Sequence, residues 1–285
     1  MREPYRLTYA LGDMRGRANL SGQQLEVLLR ALVAVNRIRL QASGSRLQRD
    51  LAEVCSLKPS PFPTGWRPPG QEEWQDAATM VLKGTGSNTD IVCAKAAALQ
   101  LEGKQVRAVP VLQGGAWRAA LWSPQDRHPV IPSSLSPGWK PLSDRMRFTF
   151  VLDVFNGQKQ PDSLTAPTLE ALLDGLTEID VNFLQAHPET LTIDELAALG
   201  RLLYMEEPIG QEDWQDVPTC IRMGILDCED GACWDAAQDI VRGEPSRAVA
   251  SKHESAGGGT LYHITKKTLG ARPRTRDISR VLGMR

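Results

Sequence analysis

The chain contains one long repeat. Gly70-Gln71-Glu72-Glu73-Trp74-Gln75-Asp76 returns 140 residues later as Gly210-Gln211-Glu212-Asp213-Trp214-Gln215-Asp216. At that offset, with no gap, residues 70–111 and 210–251 share 16 identities in 42 positions. They include Thr79/Thr219, Gly84/Gly224, Asp90/Asp230, Cys93/Cys233 and Arg107-Ala108-Val109/Arg247-Ala248-Val249. With small changes of offset, Leu25-Glu26-Val27-Leu28-Leu29 pairs with Leu169-Glu170-Ala171-Leu172-Leu173, and Tyr5-Arg6-Leu7-Thr8-Tyr9 with Met146-Arg147-Phe148-Thr149-Phe150. A repeat sets the architecture before any other feature does. A unit of about 140 residues is domain-sized, too long for a solenoid repeat. The expectation is a tandem duplication with domains at 1–140 and 141–285.

Composition narrows the function classes. A net charge of −1 gives no field for nucleic acid or a membrane surface. No apolar run has the length of a membrane span, and Met1-Arg2-Glu3-Pro4 does not resemble a signal peptide. Five cysteines (Cys55, Cys93, Cys220, Cys228 and Cys233) are an odd, irregularly spaced set. That argues against a disulfide scaffold and for a reducing compartment. No C-x-x-C pair or close His/Cys cluster suggests zinc. The chain is expected to be soluble and to stay in a cytoplasm, or in a particle assembled there. No cofactor, metal, nucleic acid or membrane is assigned to it.

Each copy opens with an alternating strand, Arg6–Leu11 and Arg147–Leu152. A helix follows, Gln23–Gln41 in the first copy and Thr168–Gln185 in the second. The second carries Leu169, Leu172, Leu173, Leu176, Ile179 and Phe183 at helical spacing, a core-facing stripe. A further helix is expected over Thr192–Tyr204 from the capping-box start Thr192-Ile193-Asp194-Glu195. After the Trp-Gln-Asp block and a glycine turn comes a shared helix. In copy two it runs from about Cys228 to Arg242, capped by Asp227 and stopped by Gly243. Two strands close each copy: Val106–Leu112 and Ala116–Trp122 across Gly114-Gly115, then Arg247–Ser251 and Thr260–Lys266 across Gly257-Gly258-Gly259. Pro59–Pro69 and Ser133–Pro141 are expected as loops. Helices followed by an antiparallel sheet define an α+β domain, used twice.

The copies part company where chemistry is possible. Copy two has Asp227-Cys228-Glu229 where copy one has Ser87-Asn88-Thr89, and Tyr262-His263 where copy one has Trp117-Arg118. The shared Trp74/Trp214, Asp90/Asp230 and Cys93/Cys233 are read as scaffold, because one copy keeps them with no nucleophile to serve. Cys228 suits a nucleophile: a helix N-terminus favours the thiolate, and its N–H groups can hold an oxyanion. His263 on a strand can act as base and then acid, with Asp277 fixing its tautomer. Asp227, Glu229 and Asp230 oppose this by raising the thiol pKa, unless Asp227 is engaged as a cap and Glu229 points outward. His128 and His187 are expected at the surface. His253, placed between two strands, is an alternative base, and Trp214 an alternative cleft residue.

Trp214-Gln215-Asp216-Val217-Pro218, Gly224 and Asp227-Cys228-Glu229-Asp230-Gly231-Ala232 resemble the Trp-x-x-Pro…Gly-Asp-Cys-Glu-Asp-x-Ala signature of bacterial transglutaminase-like cysteine peptidases. Tyr262-His263 and Arg276-Asp277 fall where that superfamily carries its His and Asp. The likeness covers about residues 205–285. It implies a papain-like fold, a Cys228–His263–Asp277 triad, and hydrolysis or acyl transfer at peptide or side-chain amides. The two-copy layout also resembles transglutaminase-like proteins of tailed bacteriophages, often encoded near structural genes. In some relatives the acids flanking the cysteine bind calcium, and Asp227 and Glu229 have the oxygens for it. Two functions follow from the resemblance. One is a cysteine peptidase, amidase or acyl transferase acting on a protein or peptide, with 1–140 a degenerate pseudo-domain. The other is a non-catalytic structural or interaction component of a phage virion, contacting other virion proteins.

Overall fold

The computed structural model describes residues 5–12, 21–56, 71–130, 145–152, 166–207, 212–254, 260–270 and 272–283. The chain is mixed α/β, with helices and sheets in each of two compact units. The first unit comprises Met1–Leu7 and Ala18–Pro161, the second Thr8–Arg17 and Asp162–Arg285. The loops expected at Pro59–Pro69 and Ser133–Pro141, and the turn at Gly257-Gly258-Gly259, lie outside the described residues.

In unit one, strand β1 (Tyr5–Gly12) contributes its first residues and continues into the other unit. Helix α1 (Gly22–Ser56) starts where Ser21 and Gln24 bond to each other reciprocally, 2.9 and 3.2 Å. It runs past the expected end at Gln41 and is broken at Gly44, where φ is 61°. Strand β2 (Gln71–Gln75) leads into the short helix α2 (Ala77–Lys83), capped by Asp76 and ended by Gly84 in the left-handed region. Helix α3 (Asn88–Leu101) begins with a Ser87/Asp90 capping box. Strands β3 (Arg107–Gln113) and β4 (Ala116–Trp122) form a hairpin, Leu121 then bridging antiparallel to Val130. Strand β5 (Arg145–Leu152) lies parallel to β2, with Trp74 opposite Phe150.

Unit two opens with α4 (Ala166–Ala186), and all six apolar residues of its stripe are buried. Each such side chain contributes about 1.5–3 kcal/mol of burial. Helix α5 (Ile193–Ala198) has the expected Thr192/Glu195 capping box but is short. Gly200, at φ 64°, ends the turn, and β6 (Leu203–Tyr204) leaves helical geometry to pair with a later strand. Strand β7 (Glu212–Gln215) leads into α6 (Val217–Met223), capped by Asp216 and ended by Gly224 at φ 70°. Strand β8 (Ile225–Leu226) pairs parallel with β6 and delivers the chain to α7 (Cys228–Val241). Strands β9 (Ser246–Glu254), β10 (Thr260–Thr268) and β11 (Thr275–Arg276) form an antiparallel sheet, and α8 (Ile278–Val281) follows. The antiparallel expectation therefore holds for the hairpins but not for β2–β5 and β6–β8, which are parallel. Among the described residues, no helix is long and apolar enough to cross a membrane.

The same bonds recur in both units. The Gln75 N–H donates to Asp90 at 2.8 Å, and the Gln215 N–H to Asp230 at 2.6 Å. The Ala77 N–H donates to Asn36 at 2.7 Å, and the Val217 N–H to Asp180 at 2.9 Å. Buried Cys93 donates to the Leu29 carbonyl, and buried Cys233 to that of Leu173. The opening strands, however, are exchanged. The Asp76 N–H bonds to Val151 of the second repeat, whereas the Asp216 N–H bonds to Ala10 of the first. Trp74 meets Phe150 at 5.9 Å, and Trp214 stacks on Tyr9 at 5.8 Å. Each unit is thus completed by the other repeat's opening strand. Trp214, one of the largest fully buried side chains, is a core residue.

Candidate active site

Cys228 is the first residue of α7. Asp227 caps the helix by accepting the Asp230 N–H at 3.2 Å, and Asp230 reaches back to the Asp227 N–H. The residue at this position looks across to the hairpin in both units. In unit one the Asn88 amide donates to the Ala119 carbonyl at 3.2 Å. In unit two the Cys228 sulfur accepts the backbone N–H of Ile264. Hairpin register makes these the same strand position: Arg118 pairs with Val111, and His263 with Ser251. Val111 and Ser251 are 140 residues apart, as the repeat requires. Cys228 therefore faces the backbone N–H of the residue that follows His263, which acts to lower the thiol pKa.

His263 and Asp277 are in contact. Nε2–H of the imidazole donates to Asp277 Oδ2 at 3.1 Å. Asp277 is itself fixed, because it caps α8 and accepts the Ser279 N–H at 3.1 Å and the Ser279 hydroxyl at 2.6 Å. Arg280 approaches the same Oδ2 at 3.2 Å. Partial burial alone would raise this carboxyl, but the bonds from Ser279 and His263 outweigh it and hold Asp277 below its ordinary value. With Nε2 committed to a carboxylate, proton exchange with a reacting group runs through Nδ1. His253 differs from expectation: it lies inside β9 opposite Leu261, not between two strands. His128 is exposed, and half-buried His187 stacks on Phe183 at 4.5 Å.

Two features of α7 escaped the sequence reading. Gly231, one turn beyond Cys228, faces Ile278: a Cβ there would stand 2.6 Å from the Ile278 side chain. The absence of a side chain lets α8, and with it Asp277, close onto α7. The signal was present as an Ile91/Gly231 difference between the repeats. The other feature is Glu229, which does not point outward. The Cys228 thiol donates to Glu229 Oε2 at 3.0 Å. Burial pushes the thiol well above its ordinary pKa, and the Glu229 and Asp227 charges push it further. Glu229 is raised to about 7 by burial and by Glu212, and Asp227 is raised by burial, Glu229 and Glu207. Tyr204 on β6 is raised by burial, Cys228 and the same acids.

Cys93, Cys220, Cys228 and Cys233 are free thiols. Cys228 alone of these is not fully buried. Among the described residues, no group of three or more His, Cys, Asp or Glu side chains is disposed to hold a metal ion. Asp227 is engaged as a cap and Glu229 on the thiol. No protein-family model, no curated protein and no solved structure matches the chain.

Proposed function

We propose that unit two is a cysteine peptidase, amidase or acyl transferase of transglutaminase-like type, and that the two repeats descend from one papain-like domain by duplication. The observation that carries the reading is the His263–Asp277 pair beside a cysteine at a helix start. Nδ1 of His263 takes the Cys228 proton, and the thiolate attacks the amide carbonyl carbon. The α7 N-terminus, with its N–H groups and dipole, stabilises the oxyanion. His263 returns the proton to the departing amine, leaving a thioester. Water then completes hydrolysis, or a second amine completes acyl transfer. Asp277 holds the ring in the tautomer this needs. Glu229 opposes the first step, so turnover requires its carboxylate to leave Sγ or to become protonated.

A second reading has its own support. A thiol captured by a carboxylate and raised in pKa suits a module that has kept its fold and lost its substrate. In that case the chain is a structural or interaction component of a phage particle, made in the host cytoplasm, and its partners are other virion proteins.

Cys228→Ala decides between them. Under the enzymatic reading it removes turnover of peptide or amide substrates by about a thousandfold or more while the unfolding transition stays within about 1 kcal/mol. Iodoacetamide at neutral pH, mapped by mass spectrometry, then modifies Cys228 well before the other thiols. If Cys228 is no more reactive than Cys233 and no amide is cleaved or transferred, the structural reading stands.

A further inference from the structure

We propose that Lys266 is a positioning residue for the Cys228–His263 pair, an inference that rests on the catalytic reading above. Its ammonium lies 2.7 Å from Asp239 and 3.0 Å from Asp235, with side-chain exposures of 9%, 9% and 4% respectively. The two aspartates are one turn apart on α7. Asp235 lies seven residues beyond Cys228, two turns along the same helical face. Each strand of the adjoining sheet sends one donor to this pair. Ser246 of β9 reaches Asp239 at 3.1 Å, Lys266 of β10 reaches both aspartates, and Arg276 of β11 reaches Asp235 at 3.0 Å. Arg276 also pairs with Asp194 of α5. The set ties the strand carrying His263, and the segment leading into Asp277, to the helix that begins with Cys228.

The other unit shows that the seam does not need these charges. At the repeat offset, Asp235 and Asp239 correspond to Lys95 and Leu99, and Ser246 to Val106. The bridge Leu121–Val130 occupies the place of Lys266–Arg276. Unit one therefore has Leu99, Val106 and Leu121 where unit two has Asp239, Ser246 and Lys266, and an exposed lysine, Lys95, in place of the buried Asp235. A buried ionic set adds little net stability over an apolar seam, because desolvation cancels much of the attraction. What directional bonds add is a fixed register. A nucleophile and base must be held to better than about 1 Å, which an apolar contact between helix and strand does not ensure. The ionic set occurs in the unit that holds the thiol, imidazole and carboxylate, and Lys266 is its centre.

The test exchanges the seam. The double variant Lys266→Met/Asp239→Leu, in the full-length chain, removes one charge of each sign and approaches the composition of unit one. Its melting temperature is expected to equal or exceed that of the wild type. Its Cys228 alkylation by iodoacetamide at neutral pH is expected to slow at least tenfold, because the imidazole is no longer held where it can take the thiol proton. Lys266→Arg is expected to retain the wild-type rate. His263 titration by NMR is read in each variant and reports the imidazole's placement without depending on Cys228 chemistry. An inert wild-type thiol combined with a shifted His263 titration in the double variant would retire the catalytic reading and keep the positioning role. Unchanged alkylation and unchanged His263 titration in a folded double variant overturn the proposal. Should the double variant not fold, Asp239→Asn is judged by the same two measurements.

Discussion

Unit one and unit two are built on one plan and differ along one seam. Both bury a tryptophan beneath the opening strand of the other repeat. Both tie that block to a helix through an N–H···carboxylate bond, and both hang a cysteine from the carbonyl of the preceding long helix. At the positions of Cys228, Gly231, Asp235 and Asp239 on the shared helix, unit one has Asn88, Ile91, Lys95 and Leu99, of which Lys95 is exposed. These positions recur every three to four residues, so they form one stripe. The scaffold is thus common property, and the thiol and the imidazole are among the differences. In unit one a side-chain amide bonds the hairpin backbone; in unit two a thiol does so beside a histidine.

The comparison breaks most visibly when the repeats are separated. Residues 141–285 alone lack β1, whose residues Tyr9 and Ala10 close over Trp214 and Asp216. The equivalent strand, β5, is still present. The expected outcome is a dimer by light scattering, each copy lending β5 to the other in the manner of a domain swap. A folded monomer would mean that β5 closes on its own repeat. An unfolded chain would mean that β5 cannot replace β1, and the equivalence of the two strands would fail.

That exchange also marks the limit of the sequence reading. Strand identity was legible from alternation in Arg6–Leu11 and Arg147–Leu152, and the elements appear as β1 and β5. Which repeat each strand completes was not legible, because two equivalent strands satisfy the same partners. Helix starts were legible where a side chain caps them, as at Thr192 and Asp227. The end of α5 was misread because Leu202, Leu203 and Tyr204 continue an apolar pattern, while Gly200 and pairing with β8 decide the geometry. At the site, Cys228 and His263 could be argued from differences between the copies, and Asp277 from its place after the last strand and from the family resemblance. The turn of Glu229 onto the thiol could not, since it depends on a rotamer and on the packing around β7 and β8. Lys266 was hidden for a different reason: in sequence it is an ordinary lysine at the end of a strand.

A smaller effect tests how Asp277 is brought to His263. Gly231→Ala puts a methyl where Ile278 now sits, 2.6 Å from its side chain, so α8 must move. Overpacking of this kind costs about 1–3 kcal/mol. Under the enzymatic reading, activity is expected to fall by about ten- to a hundredfold, because Asp277 is the cap of the displaced helix. Ile91→Ala in unit one, a change in the opposite sense, is expected to leave turnover unchanged. Equal turnover in Gly231→Ala and wild type would detach Asp277 from the mechanism.

Glu229→Gln sharpens the electrostatic contrast with Thr89, its counterpart in unit one. The Glu229 carboxyl is raised from 4.5 to about 7, chiefly by burial. The folded state therefore keeps this proton to higher pH than the unfolded chain does. The resulting stability is present at low pH and is lost as pH rises from about 4.5 to about 7. Glutamine abolishes that loss, so the melting temperature of the variant should gain on wild type across this window and hold its lead above it. Removing the charge beside the sulfur should also shift Cys228 alkylation to lower pH. Parallel melting curves with an unshifted alkylation profile would show that Glu229 does not govern the thiol.

The smallest effects are expected from the two cysteines that the units share. Cys93 and Cys233 are buried at equivalent places on α3 and α7, and each donates to a carbonyl of the facing long helix, Leu29 at 3.8 Å and Leu173 at 3.6 Å. Burial raises both thiols well above the ordinary value, and both side chains are closed off from solvent, whereas Cys228 is not. Cys93→Ala and Cys233→Ala should each cost about 1 kcal/mol in chemical denaturation, by loss of packing and of one weak bond. The two costs should match, because the environments do, and turnover should be untouched in both. A much larger cost at Cys233 would mean that the seam around Cys228 draws rigidity from the helix behind it. Loss of turnover in Cys233→Ala with stability retained would be more damaging, since it would move the reactive thiol from the first residue of α7 to its buried face.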